Sequence, residues 1–183
     1  MTQQQRHVAA ILGGGSFGTA LATILANNGH ETRLWVRDPE TADAINENRE
    51  NARYLPGAEL PEAVTALESL DAAVDGATLI FLAVPSKAFP EVLDQARDKV
   101  AAHTLVISCT KGIYDDGFLL MSQLLRREWP HARVGVLSGP NLAREIAEHK
   151  FTGTVIASAD AGLRSSVQDA LSCDYFRVYD SPD

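Results

Sequence analysis

The sequence predicts an α/β fold, a mainly parallel sheet with helices on both faces. Three observations predict it. Short apolar runs alternate with longer helical patterns along the 183 residues, which is the rhythm of a parallel sheet covered by helices. The first apolar run ends in Gly13-Gly14-Gly15-Ser16-Phe17-Gly18, a turn that opens an amphipathic helix. Finally, 45% of the residues are apolar, enough to bury one generous domain at this length.

Taken in order, residues 7–12 form the first strand, and 16–28 a helix with Leu21, Ile24 and Leu25 on one face and Gly29 as its C-terminal cap. Residues 32–36 form the second strand, followed by a polar helix to about residue 48, with Asp38 as N-cap and Pro39 at its first position. Residues 53–61 read as a loop. Further strands are expected at 79–84, 104–108, 134–138, 154–158 and 175–179, with helices at 86–100, 117–128, 140–149 and 161–171. No repeat or interdomain linker interrupts the pattern, so residues 1–183 are expected to be one domain.

Charge and cysteine content narrow the function. Twenty-four acidic against sixteen basic residues give a net charge of −8, which argues against a nucleic-acid partner; an anionic ligand would need local positive sites. The longest mainly apolar run, 77–85, is far too short for a membrane span, and residues 1–7 are polar with no signal core after them. A cytoplasmic protein with no membrane partner is therefore expected. Cys109 and Cys173 lack His or Cys neighbours at ligand spacing, so no metal is expected and both read as small core hydrophobes.

The glycine turn matches G-x-G-x-x-G: Gly13 for the tight turn, Gly15 for close approach of backbone to a pyrophosphate, and Gly18 for helix-on-strand packing. Because it sits between a strand and a helix, whose first N–H groups and dipole attract anions, the fold expected is the Rossmann-type doubly wound sheet and the ligand a dinucleotide. A turn selected for packing alone is the competing reading. Arg37 lies about twenty residues beyond the turn, where the adenosine ribose would sit. A guanidinium there suits the 2′-phosphate, so NADP (NADPH) is favoured, while NAD stays open if Asp38 turns inward to the 2′-hydroxyl.

In such sheets ligands lie beyond the carboxyl ends of the strands. Val84-Pro85-Ser86 ends one strand in a shape able to border a nicotinamide, or is a plain turn with Ser86 as N-cap. Thr110-Lys111-Gly112 ends another, and its ammonium would reach substrate oxygens or face solvent. Ser138-Gly139-Pro140-Asn141-Leu142-Ala143 offers amides and a polar side chain at a helix start, or is punctuation with Pro140 in the first helical turn.

Together with Ile11-Leu12 and Leu34-Trp35 and continuing to Phe176-Arg177-Val178-Tyr179, this ordered series resembles the bacterial NAD(P)-dependent glycerol-3-phosphate dehydrogenases along nearly the whole chain. The resemblance implies reversible reduction of dihydroxyacetone phosphate to sn-glycerol 3-phosphate for phospholipid synthesis. It makes Ser16, Phe17, Arg37 and Ala143 cofactor contacts, Gly139 and Asn141 substrate contacts, and Lys111 a contact to both. Two positions depart from the usual pattern: Asn141 stands where many relatives carry Thr or Ser, and Phe17 where Tyr is frequent. The resemblance also implies an all-helical C-terminal domain, absent from this chain, that carries the acid–base lysine. On that basis the chain is expected to bind NADPH with negligible turnover, and to be monomeric where the full-length protein is a homodimer. A reductase domain of the 6-phosphogluconate-dehydrogenase type and a non-catalytic NAD(P)H-binding module remain the rival readings.

Overall fold

Alternating side-chain direction builds the sheet outward from β1 (Val8–Leu12). Ala9 and Ile11 enter one apolar cluster and Ala10 and Leu12 the other, all fully buried. A strand buried on both faces favours a continuous apolar run, and β4 (Leu79–Leu82) and β5 (Leu105–Ser108) beside it divide in the same way as far as Ile107, with buried Ser108 closing β5. The computed structural model describes residues 6–115 and 117–182. The polar opening read at 1–7 lies mostly outside the described residues, as does Asp183.

After β1, α1 (Ser16–Asn27) buries Leu21, Ile24 and Leu25 against the sheet. Gly29, at φ +85°, ends it; its N–H donates to the Ala26 carbonyl at 3.0 Å and that of His30 to Leu25 at 3.1 Å. The chain then enters β2 (Glu31–Trp35), α2 (Pro39–Asn48), β3 (Val64–Leu67) and α3 (Leu70–Val74). Beyond β4 come α4 (Phe89–Ala96) and β5, a small hairpin of β6 (Ile113–Tyr114) and β7 (Leu119–Leu120), then α5 (Met121–Glu128) and β8 (Arg133–Ser138). The last elements are α6 (Ala143–Ala147), β9 (Thr152–Ala157), α7 (Ala161–Leu171) and β10 (Phe176–Ser181).

The large sheet runs β10-β9-β8-β5-β4-β1-β2-β3, parallel throughout except where β9 pairs antiparallel with β8. One cluster packs α1, α2, α6 and α7 on one face, and the other packs α3, α4 and α5 on the opposite face. This is the expected doubly wound, mainly parallel Rossmann-type sheet. Strand order reverses between β1 and β4, which opens a crevice beyond their carboxyl ends.

Several local expectations need correction. β3 and α3 escape the sequence pattern because one is a four-residue edge strand with a half-exposed face and the other a five-residue helix begun by Ser69, whose hydroxyl accepts from the Ala72 N–H. The helix expected over 86–100 is a 3₁₀ turn, Ser86–Ala88, followed by α4; Pro90, lacking an N–H, is tolerated only in a first turn, and Ser86 makes no cap bond. β6 and β7 pair antiparallel, with Gly117 at φ +85° and Phe118 at +51°, so the helix expected from Gly117 starts at Met121. The helix expected over 140–149 shrinks to α6, leaving Pro140 ahead of it rather than in its first turn. Asp38 holds the N-cap position, but its carboxylate accepts from the Thr41 hydroxyl instead of a backbone N–H.

At the opposite end of the sheet from the crevice, His7 and His30 are buried with ring centroids 5.5 Å apart. The His7 N–H donates to Nδ1 of His30 at 3.1 Å, a bond that requires this nitrogen to be unprotonated. Burial pushes both imidazoles below their ordinary value near 6.5; for His30 the neighbouring His7 adds to this and outweighs the Ala170 carbonyl. Below that pH the unfolded chain binds more protons than the folded one, so stability is complete above about 6.5 and declines as pH falls. Denaturant melts at pH 7.5 and 5.5 should show lower stability at the lower pH, and a much smaller difference in a His7→Gln, His30→Gln variant.

Candidate functional site

The turn after β1 is held by contacts that leave no room for side chains at three of its four glycines. Gly13 has φ +123°, and a Cβ there would lie 2.6 Å from the Ala83 carbonyl oxygen. A Cβ on Gly18 would lie 1.9 Å from the Gly13 carbonyl oxygen, so the first turn of α1 rests directly on the glycine turn. Gly14, at a variable position of G-x-G-x-x-G, is crowded too, a Cβ there meeting the Val36 side chain at Cγ1, 2.1 Å away. Gly15 differs. A Cβ on it would meet nothing within 4 Å, and its φ of −74° suits any residue. It caps α1, where by helix geometry the first N–H groups have no acceptor within the helix, and it faces a cleft of about 630 Å³.

A second loop steadies this turn. Asn51, buried three residues beyond α2, donates from Nδ2 to the Gly14 carbonyl at 2.9 Å and to the Thr19 hydroxyl at 2.8 Å. Three residues on, the Tyr54 carbonyl accepts from the Ser16 hydroxyl at 2.6 Å, and the Arg53 guanidinium lies over the Tyr54 ring at 5.2 Å. Both Arg53 and Tyr54 line the cleft.

At the β2 end the cleft is bordered by Arg37, Asp38 and Thr41. Arg37 stands 5.9 Å above the Trp35 ring and reaches across to α4, its guanidinium 3.1 Å from Glu91 Oε2. At the other end lie Val84, Pro85, Cys109, Thr110 and Lys111. The Thr110 hydroxyl donates to the Val84 carbonyl at 2.7 Å, joining the two strand ends. Lys111 Nζ donates to the Gly139 carbonyl at 3.3 Å and so links the cleft to the turn after β8. Burial pushes the Cys109 thiol up, which favours its protonated form. Arg37, Arg53 and Lys111 thus give an acidic chain a locally cationic cleft.

Of the residues singled out in the sequence, Gly13, Gly15, Ser16, Phe17, Arg37, Pro85 and Lys111 line one cleft, and Gly18 supports it from beneath. Gly139, Asn141 and Ala143 do not line it. Gly139 touches it through Lys111, and Ala143 packs against the core at the start of α6. Asn141 is already engaged, its Nδ2 donating to the Gly153 carbonyl at 3.0 Å and its Oδ1 accepting from the Thr154 hydroxyl at 3.0 Å. Sequence reasoning missed Asn51, Tyr54 and Glu91. Tyr54 falls within the loop read at 53–61, the one signal available for it; neither Asn51 nor a glutamate on an exposed helix face carries one. Among the described residues no group of three or more His, Cys, Asp or Glu could hold a metal ion, and no helix is long and apolar enough to cross a membrane.

Residues 8–163 match the family model described as the NAD-dependent glycerol-3-phosphate dehydrogenase N-terminus. Glycerol-3-phosphate dehydrogenase [NAD(P)+] of Alcanivorax borkumensis is 71% identical over 98% of this chain and 52% of its own length. Its counterpart in Pseudomonas syringae pv. tomato is 54% identical over 100% of this chain and 53% of its own. The crystal structure of glycerol-3-phosphate dehydrogenase from Coxiella burnetii superposes with a TM-score of 0.92 at 35% identity, covering 97% of this chain and 55% of that one. The chain therefore spans about half the length of the curated relatives it matches.

Proposed function

The chain belongs to the NAD-dependent glycerol-3-phosphate dehydrogenase family, matching its N-terminal part, and on that premise we propose that it binds NAD(P)H across the β1/β4 crevice as the dinucleotide half of an enzyme interconverting dihydroxyacetone phosphate and sn-glycerol 3-phosphate. The observation that carries this reading is Gly15. Nothing in the protein forbids a side chain there, yet a Cβ would enter the space beside the unpaired amides of α1, where a diphosphate would lie.

In this reading residues 1–183 form the NAD(P)-binding domain. Gly13, Gly15, Ser16 and Phe17 cradle the diphosphate, Gly18 lets α1 approach, Arg37 grips a 2′-phosphate and Pro85 borders the nicotinamide. Lys111 meets cofactor and substrate, Gly139 and Asn141 the substrate, and Ala143 the cofactor. Bound NADPH supplies the hydride. The ketone oxygen then needs positive potential and a proton, and Lys111, tied to the Gly139 carbonyl, is placed to give the first. The relatives extend over about twice the length matched by these residues, and we assign the proton donor to that remaining portion. The family match displaces the 6-phosphogluconate-dehydrogenase-type reading. For the full-length protein we extend the resemblance to a cytoplasmic homodimer.

Calorimetry of the chain with NADPH and with NADH should give saturable one-site binding of each. Adding dihydroxyacetone phosphate should leave NADPH oxidation far below the roughly 1 per second of ordinary dehydrogenases. No heat with either nucleotide would reject the cofactor reading, and rapid oxidation would reject the assignment of the proton donor.

A further inference from the structure

On the reading that the cleft takes NAD(P)H, we propose that Glu91 is a specificity-determining residue that limits the preference for NADPH over NADH by competing with the 2′-phosphate for Arg37. Glu91 lies on α4, across the cleft from β2, and its Oε2 sits 3.1 Å from the Arg37 guanidinium. Its other oxygen, Oε1, accepts from Gln95 Nε2 at 3.3 Å one helical turn on, so the carboxylate is held from both sides. Arg37 is therefore a guanidinium with an anionic partner already in place above the Trp35 ring.

A 2′-phosphate arriving at Arg37 must displace that carboxylate or share the fork with it. Sharing sets two anions beside one cation, and like charges at such distances repel. The 2′-hydroxyl of NADH makes no claim on the guanidinium and leaves the pair intact. Glu91 consequently weakens one nucleotide and spares the other. The pair is half-exposed on both sides, so the effect is that of a surface ion pair: a trimming of selectivity rather than its reversal.

Calorimetry with NADPH and NADH on wild type, Glu91→Gln, Arg37→Ala and the double variant tests this. Glu91→Gln should tighten NADPH by about two- to five-fold, the span of an exposed ion pair, and change NADH by less than about two-fold. In the Arg37→Ala background the same substitution should change NADPH by less than about two-fold, because the contested group is gone. Weaker NADPH binding by Glu91→Gln would show that the carboxylate orients Arg37 and would overturn the proposal. An equal gain for both nucleotides would overturn it, as would a gain that survives Arg37→Ala. Wild type that binds neither nucleotide overturns the cofactor reading along with it, whereas normal wild-type binding and an unchanged NADPH-to-NADH ratio in Glu91→Gln overturns this proposal alone.

Discussion

A methyl group added at Gly18 should destabilise the chain by about 3 kcal/mol, near the upper end for overpacking, whereas the same methyl at Gly15 should cost under about 1 kcal/mol and abolish nucleotide binding. The two glycines stand three residues apart and answer to different forces. Beneath Gly18 lies the Gly13 carbonyl oxygen, 1.9 Å from where the Cβ would be, and a backbone oxygen in a turn pinned by Asn51 and Ala83 cannot swing aside. Either α1 lifts from β1 or the turn opens, and both separate surfaces that are fully buried. Above Gly15 there is no protein atom within 4 Å, so Gly15→Ala meets no obstacle until a diphosphate arrives. The melting temperature of Gly18→Ala should fall by roughly 6–12 °C for a domain of this size. Gly15→Ala should melt close to wild type while its NADPH affinity drops at least 100-fold, about 2.7 kcal/mol. Should Gly15→Ala bind NADPH as wild type does, the diphosphate lies elsewhere and the cofactor reading fails.

That contrast also marks where the sequence is informative. The glycine series between an apolar strand and an amphipathic helix specifies β1, the turn and α1, because each demand on it is local. β4 and β5 are legible for a related reason: both faces are covered, so their residues run apolar up to Ser108 at the end of β5. The errors fall where structure depends on partners distant in sequence. β3 exists because it pairs with β2, with Val36 donating to the Leu67 carbonyl at 2.9 Å, and its own residues half face solvent. The pairing of β6 with β7 comes with backbone at positive φ that Phe118, a non-glycine residue, does not advertise.

The candidate site divides in the same way. Gly13, Gly15, Gly18 and Lys111 follow strand ends and can be found by counting along the chain. Asn51 reaches the turn from thirty-seven positions away and Glu91 reaches Arg37 from fifty-four, so neither has any local signal. Asn141 shows the converse difficulty: its residue type fits a substrate contact, yet its amide is already bonded on both sides to β9. If it meets substrate, it does so with its remaining N–H and lone pair.

Arg37→Ala should weaken NADPH by about 1.5–3 kcal/mol, the range for a hydrogen bond to a charged group, and leave NADH nearly unaffected. The two acids nearby bear on this in different ways. Asp38 is the residue that would favour NAD by accepting from a ribose 2′-hydroxyl, but its Oδ2 is bonded to the Thr41 hydroxyl, which occupies part of its accepting capacity. Glu91 occupies Arg37 before any ligand arrives, so the loss measured on removing the arginine is net of an ion pair already present and belongs in the lower half of the range. The loss should be selective because, Asp38 and Glu91 apart, the residues assigned to the cofactor would not meet the 2′ substituent. The glycine turn, Ser16 and Lys111 would meet groups that the two nucleotides share. Calorimetric titration of wild type and Arg37→Ala with each nucleotide at one ionic strength measures the difference directly. A parallel fall in both affinities would mean that Arg37 supports the fold of the cleft or stacks on the adenine, and the preference for NADP would have to come from another residue.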